Sequence, residues 1–264
     1  MRTVTNFKKE IFWRNLLWRE IMMKITYVYH SCYVVELEEV VFVFDYYKGE
    51  LPTWDIRKKV IFFASHKHQD HFSLEIFSFA KKYQDITYIL SNDIRFTDNF
   101  LIRHNINPCI REKIIRIGKR TSRELDVQGK CLRIETLRST DEGVAFLIHY
   151  NNKSIYHAGD LNWWSWSGIT EQENEEMAKA YKREINTLAN QKIDIAFLVL
   201  DPRKEERYWW GMDYFLKTVE VDCVFPMHCW EKYSIIKQFQ KDKGTAAYIT
   251  KVQDVTAEEE FFEI

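Results

Sequence analysis

The segment Ser65-His66-Lys67-His68-Gln69-Asp70-His71 places three imidazoles and one carboxylate within six residues. Imidazole nitrogen and carboxylate oxygen are good ligands for zinc, iron and manganese. The 264-residue chain holds only eight histidines, so three in such a short stretch argue against a plain solvated loop. An apolar run over residues 59–64 comes directly before it and reads as a buried strand. A strand end followed by a sharp loop can aim His66 and His68 at one point, and Asp70 and His71 at a second. The chemistry on offer is cation capture and, through it, activation of water.

The elements that must position this cluster are β-rich. Strand-like runs over residues 25–37 and 40–46 are rich in Val, Tyr and Phe, and the link Glu38-Glu39 predicts a hairpin. Ser73 is placed to cap a helix running to about residue 83. Residues 86–90 read as a strand, and residues 93–107 are ambiguous. Further strands are expected over 114–117, 130–137, 144–150 and 154–157, with Asn151-Asn152 as a tight turn. Thr170 and Glu173 have capping-box spacing ahead of an apolar stripe of Met177, Tyr181, Ile185 and Leu188. A strand over 193–200, a helix around 208–219, a short strand over 221–225 and a helix over 230–239 complete the pattern. This order implies an α/β (α+β) fold: a four-layer αββα sandwich, two mixed sheets face to face with helices outside.

Hydrophobic residues at 46% and charged residues at 29% describe an ordinary globular chain, and a formal net charge of -1 excludes a strong field for nucleic acid. Five cysteines at irregular spacing, with no C-x-x-C, predict free thiols and a cytoplasmic setting. No apolar run is long enough to span a bilayer, so no membrane partner is expected. Residues 1–22 read as an N-terminal extension, disordered or a short helix, and residues 23–264 as one domain.

One segment precedes the histidine cluster, Phe42-Val43-Phe44-Asp45, and two follow it, Tyr156-His157-Ala158-Gly159-Asp160 and Phe225-Pro226-Met227-His228. With H-x-H-x-D-H after a strand, they resemble the motifs of the metallo-β-lactamase superfamily. The start at residues 24–30 and the segment Thr140-Asp141-Glu142-Gly143 are similar to the branch that contains ascorbate-phosphate lactonases. The resemblance implies two metal sites: His66 and His68 at site one, Asp70, His71 and His228 at site two, and Asp160 bridging them. It implies two divalent ions, zinc first, with manganese or iron as alternatives. It also implies a structural role for Asp45. Asp70 would be the catalytic group that orients a metal-activated hydroxide or takes its proton.

One departure stands out. The family usually supplies a further histidine to site one near residues 136–143, and none occurs there. Asp141 is the candidate replacement, with His30 or His104 approaching from elsewhere as alternatives, and site one is otherwise short of ligands. His30 is also a candidate for backing the metals, and Arg203 or Arg138 for holding a substrate phosphate or carboxylate. Trp163, Trp164 and Trp166 are expected to pack beneath the long helix or wall a pocket. His149 and His157 are not expected to bind metal. The function implied is a metal-dependent hydrolase of a small, anionic ester, lactone or phosphodiester. The alternatives are a metal-binding protein with a degraded first site and a di-iron redox protein.

Overall fold

Alternation of large apolar side chains builds the first sheet. It consists of β1 (Lys24–Tyr29), β2 (Cys32–Glu36), β3 (Val40–Phe44), β4 (Lys59–Ala64), β5 (Ile86–Ser91), β6 (Ile114–Ile117) and β13 (Phe261–Glu263), in the order β13-β1-β2-β3-β4-β5-β6. In the computed structural model, which describes residues 23–242 and 248–264, both faces of this sheet are covered. Ile25, Tyr27, Tyr33, Val35, Phe42, Phe44, Ile61 and Phe63 join the core that extends to the second sheet. Their neighbours Val28, Val34, Val41, Val43, Val60 and Phe62 form a separate core with Ile76 and Phe77 of the 3-10 helix Leu74–Lys81. A strand buried on both faces reads as a continuous apolar run, as β3 and β4 do.

The second sheet contains β7 (Ser122–Val127), β8 (Lys130–Arg138), β9 (Val144–Tyr150), β10 (Lys153–His157), β11 (Lys192–Val199) and β12 (Glu220–Met227), in the order β12-β11-β10-β9-β8-β7. Its first four strands pair antiparallel, whereas β10, β11 and β12 are parallel. Short helix α1 (Asp98–Arg103) lies in the stretch left ambiguous by sequence. Helix α2 (Glu171–Ile185) carries the expected capping box at Thr170 and Glu173. Helices α3 (Trp210–Thr218) and α4 (Ser234–Asp242) follow. The sandwich of two mixed sheets with helices agrees with the sequence reading. The Asn151-Asn152 turn also forms, both residues having positive φ.

Three elements differ from expectation. The run over 25–37 is two antiparallel strands folded at His30-Ser31, a turn without Gly, Pro or Asn to mark it. Strand β7, Ser-Arg-Glu-Leu-Asp-Val, is a charged edge strand whose exposure erased the apolar signal. The last helix starts at Ser234 rather than at Trp230, because Trp230 and Glu231 adopt left-handed backbone (φ 51 and 60). The extension read over residues 1–22 lies outside the described residues. All five cysteines are free, and no helix among the described residues is long and apolar enough to cross a membrane.

Candidate metal centre

The C-terminal ends of β4, β10 and β12 and the β1–β2 turn bring distant side chains to one point. Two groups of donor atoms result: His30, Asp70, His71 and His228, and His66, His68 and Asp160. Within each group one atom per residue lies within 4.8 Å of the others. Two glycines make the approach possible. Gly143 has φ +67 and a Cβ there would fall 1.9 Å from the Ser65 carbonyl oxygen. Gly159 has φ +51 and a Cβ would fall 2.7 Å from that of Ser65. Both positions require left-handed backbone and the absence of a side chain.

Hydrogen bonds settle which imidazole nitrogens are free. Asp45, fully buried, accepts from the Ser65 backbone N–H at 2.7 Å and from the Ser65 hydroxyl at 2.6 Å. The hydroxyl proton is thereby spent, so Ser65 Oγ accepts from His66 Nδ1 at 2.9 Å, and His66 Nε2 keeps its lone pair. His71 Nδ1 donates to Asp45 at 2.8 Å, and His228 Nδ1 donates to Asp201 at 2.9 Å. A carboxylate behind an imidazole fixes its tautomer and ring orientation and strengthens it as a ligand. Three Nε2 atoms thus converge on Asp160, at 3.3 Å for His66, 3.1 Å for His71 and 3.5 Å for His228.

These spacings fit a cation. Ligands about 2.0–2.2 Å from a tetrahedral ion stand about 3.3–3.6 Å apart. His30 Nε2, His71 Nε2, His228 Nε2 and Asp160 Oδ1 are buried, yet none makes a hydrogen bond. The 3.1 Å contact between His71 and Asp160 is close but misaligned as a hydrogen bond. Four orphaned buried polar atoms facing one another would be costly unless a cation satisfies them. The charge balance agrees. Burial alone would lower the His71 pKa, but Asp160 and Asp45 raise it well above the usual histidine range. Burial alone would raise the pKa of Asp160, but His71, His66 and His228 hold it well below the usual carboxylate range. Burial lowers His30 to about 4, which leaves it neutral near pH 7. The point favours positive charge, and the His/Asp cluster fits a metal site.

The structure brings His66, His68, Asp70, His71, Asp160 and His228 together and adds His30 to the second group. Asp141 stays outside. Its side chain is exposed, and its backbone N–H is held by Ser139 Oγ in the turn that Gly143 closes. Site one therefore gains no ligand from residues 136–143. His104 is exposed against Phe100, and the side chain of Arg138 is exposed. Arg203 grips Asp201 through Nε and Nη2 at 2.6–3.0 Å, so its charge serves the carboxylate behind His228. His157 uses both ring nitrogens on backbone, donating to Ser31 O and accepting from Gly159 N–H, and His149 lies beside Glu135.

The tryptophans divide. Trp163 packs against Trp210 and under Lys182 of α2. Trp164 donates from Nε1 to the Asp160 carbonyl at 2.9 Å and stacks parallel to Trp166 beside His228. Sequence reasoning missed Trp230, whose ring lies 4.5 Å from that of His30, and the anchoring role of Asp201. For Asp201 a signal existed. An aspartate lies just beyond apolar β11, as one directly follows β3. A cavity of about 630 Å³ beneath Leu74–Lys81, lined by Phe77, His104 and Cys109, shares no residue with the cluster.

Two stacked mixed sheets carrying, at their strand ends, a His/Asp cluster that fits a metal site define the class. Residues 24–178 match the model of the Beta-lactamase superfamily domain, and the chain belongs to that family. No curated protein matches it in sequence. Among solved structures it is similar to Igni18, a novel metallo hydrolase from Ignicoccus hospitalis, with 17% identity and a TM-score of 0.58 over 92% of this chain and 98% of that one. It is similar to an isothiocyanate hydrolase from Delia radicum gut bacteria, with 15% identity and a TM-score of 0.51 over 92% and 100%. It is also similar to CmlA, a diiron beta-hydroxylase from Streptomyces venezuelae, with 11% identity and a TM-score of 0.53. There the match covers 92% of this chain but 54% of CmlA. At these identities the likeness is one of fold.

Proposed function

We propose that this protein is a metal-dependent hydrolase of a small ester, lactone or phosphodiester, with residues 23–264 acting as one domain. The observation that carries the reading is the convergence of the His66, His71 and His228 Nε2 atoms on buried Asp160. His66, His68 and Asp160 would hold one divalent cation, and Asp70, His71, His228 and Asp160 a second, with zinc the first choice for this mixed N and O set. Ions held there would lower the pKa of water toward neutrality and polarise the scissile group. Asp70 is 29% exposed, unlike buried Asp160, and so lies at the open side of the cluster. Its carboxylate is held well below the usual range, with burial opposing and His30, His71 and His228 prevailing, so it is ionised at neutral pH. There it would orient the attacking water as a hydrogen-bond acceptor. Asp70 and Asp160 offset only part of the charge of two divalent ions, so the site favours substrates that gain negative charge in the transition state.

The test is metal quantification on wild type and on Asp160→Asn, together with a screen of phosphodiesters, esters and lactones. Bound zinc or manganese with chelator-sensitive turnover, both lost in Asp160→Asn, is the expected result. Turnover that survives chelation would refute the reading. Metal without turnover would favour a non-catalytic metal protein, and iron with a visible absorption band a redox protein.

A further inference from the structure

We infer that His30 is a direct ligand of the second subsite, so that the protein binds one cation tightly among His30, Asp70, His71 and His228 and a second one weakly between His66, His68 and Asp160. The inference rests on the metal-dependent reading above. It goes beyond it by adding a ligand and making the two subsites unequal.

His30 is built into place. It occupies the β1–β2 turn with φ 55, and His228 follows β12 with φ 66. Left-handed backbone is unfavourable for a non-glycine residue. The two strained residues are latched to each other, for the His228 N–H donates to the His30 carbonyl at 3.0 Å. The His30 N–H is in turn held by Tyr27 Oη at 2.9 Å. This latch joins the two sheets and sets the His30 and His228 rings 4.1 Å apart. Trp230 closes over the His30 ring. The result is an imidazole 2% exposed whose Nε2 makes no hydrogen bond. That atom lies 3.3 Å from Asp70 Oδ2, the separation of two ligands sharing one ion.

The other subsite is poorer. It has two imidazoles and a carboxylate that it shares, and Asp141 does not join it. His68 is half-buried, with Nδ1 3.0 Å from His66 Nε2, and no hydrogen bond holds its other ring nitrogen among the described residues. Fewer and less firmly oriented ligands lower affinity. The histidine absent near Asp141 is thus compensated across the cluster, at the second subsite and not at the first.

The experiment is titration of the full-length apoprotein with zinc by calorimetry in the presence of a competing chelator, repeated with cobalt and followed by its visible spectrum. Wild type should bind one ion at least about 10-fold more tightly than the other. His30→Asn keeps a residue that tolerates left-handed backbone. It should weaken the tight class by more than about 10-fold, change the cobalt spectrum of that class and leave the weak class in place. His30→Gln gives a second reading should Asn disturb the turn, and circular dichroism of each apoprotein checks folding. His68→Gln should abolish the weak class and spare the tight one. Two equal classes, a tight class that moves less than about 3-fold in folded His30 variants, or loss of the tight class in His68→Gln would overturn the inference. Failure of wild type to bind any metal would instead overturn the proposed function itself.

Discussion

Two buried aspartates anchor the cluster from opposite sheets, and they do so by different means. Asp45, at the end of β3, is satisfied by Ser65 N–H, Ser65 Oγ and His71 Nδ1, with no Lys or Arg among these donors. Asp201, beyond β11, accepts from His228 Nδ1 and is gripped side-on by Arg203, whose guanidinium lies 4.3 Å from the Trp230 ring centre. The carboxylate of Asp45 is kept low against burial by His157, His71 and His66. That of Asp201 is kept low against burial by His228 and Arg203. One anchor therefore depends on the imidazoles it orients. The other carries its own counter-charge and should tolerate change better.

Asp45→Asn should expose this difference most. An amide there must present hydrogen to a donor, either Ser65 N–H or His71 Nδ1. The expected loss is about 10- to 100-fold in metal affinity and about 3 kcal/mol in stability, read by chelator competition and by urea unfolding. Asp201→Asn should cost about 10-fold in affinity and less stability, since Arg203 is 45% exposed and can turn to water. Equal losses in the two variants would erase the distinction between the anchors.

Lys204 sharpens the same contrast from the Asp201 side. It is 1% exposed, its Nζ has no hydrogen-bond partner, and burial lowers its pKa to about 7 despite the pull of Asp201. An unfolded lysine keeps its proton up to about pH 10.4. Between about pH 7 and that value the unfolded chain holds more protons, so the folded state gains stability as pH rises and loses it as pH falls. Lys204→Met should therefore stabilise the protein near neutral pH by on the order of 2 kcal/mol, and the gain should shrink toward pH 10. Thermal melts of both proteins across that range check the slope. Ser65→Ala should have the smallest effect, about 1 kcal/mol of stability, with His66 losing the acceptor that fixes its tautomer. A larger loss of metal at the second subsite than at the first would contradict that placement.

Much of this was legible in sequence, for physical reasons. His66, His68, Asp70 and His71 are adjacent, so one strand end suffices to present them. Asp160 and His228 sit after apolar strands, where polarity is conspicuous. What stayed hidden depends on tertiary strain and pairing. The turn at His30 uses a residue type that does not advertise left-handed backbone, and β7 is too exposed to show an apolar face. The pairing of Arg203 with Asp201 was hidden because sequence cannot show that Asp201 turns inward to His228. Asp141 looked available because its turn is shaped by the contact of Gly143 with Ser65, residues far apart in the chain.

The bond from His228 N–H to the His30 carbonyl has a mechanical meaning as well. It spans the seam between the sheets and joins a residue near the start of the fold to one near its end. A cation seated beside it would act as a removable cross-link, closing a loop of most of the polypeptide and restricting the unfolded ensemble. Metal loss would then loosen the whole sandwich along that seam, and the strained turn at His30 would be the first place to relax.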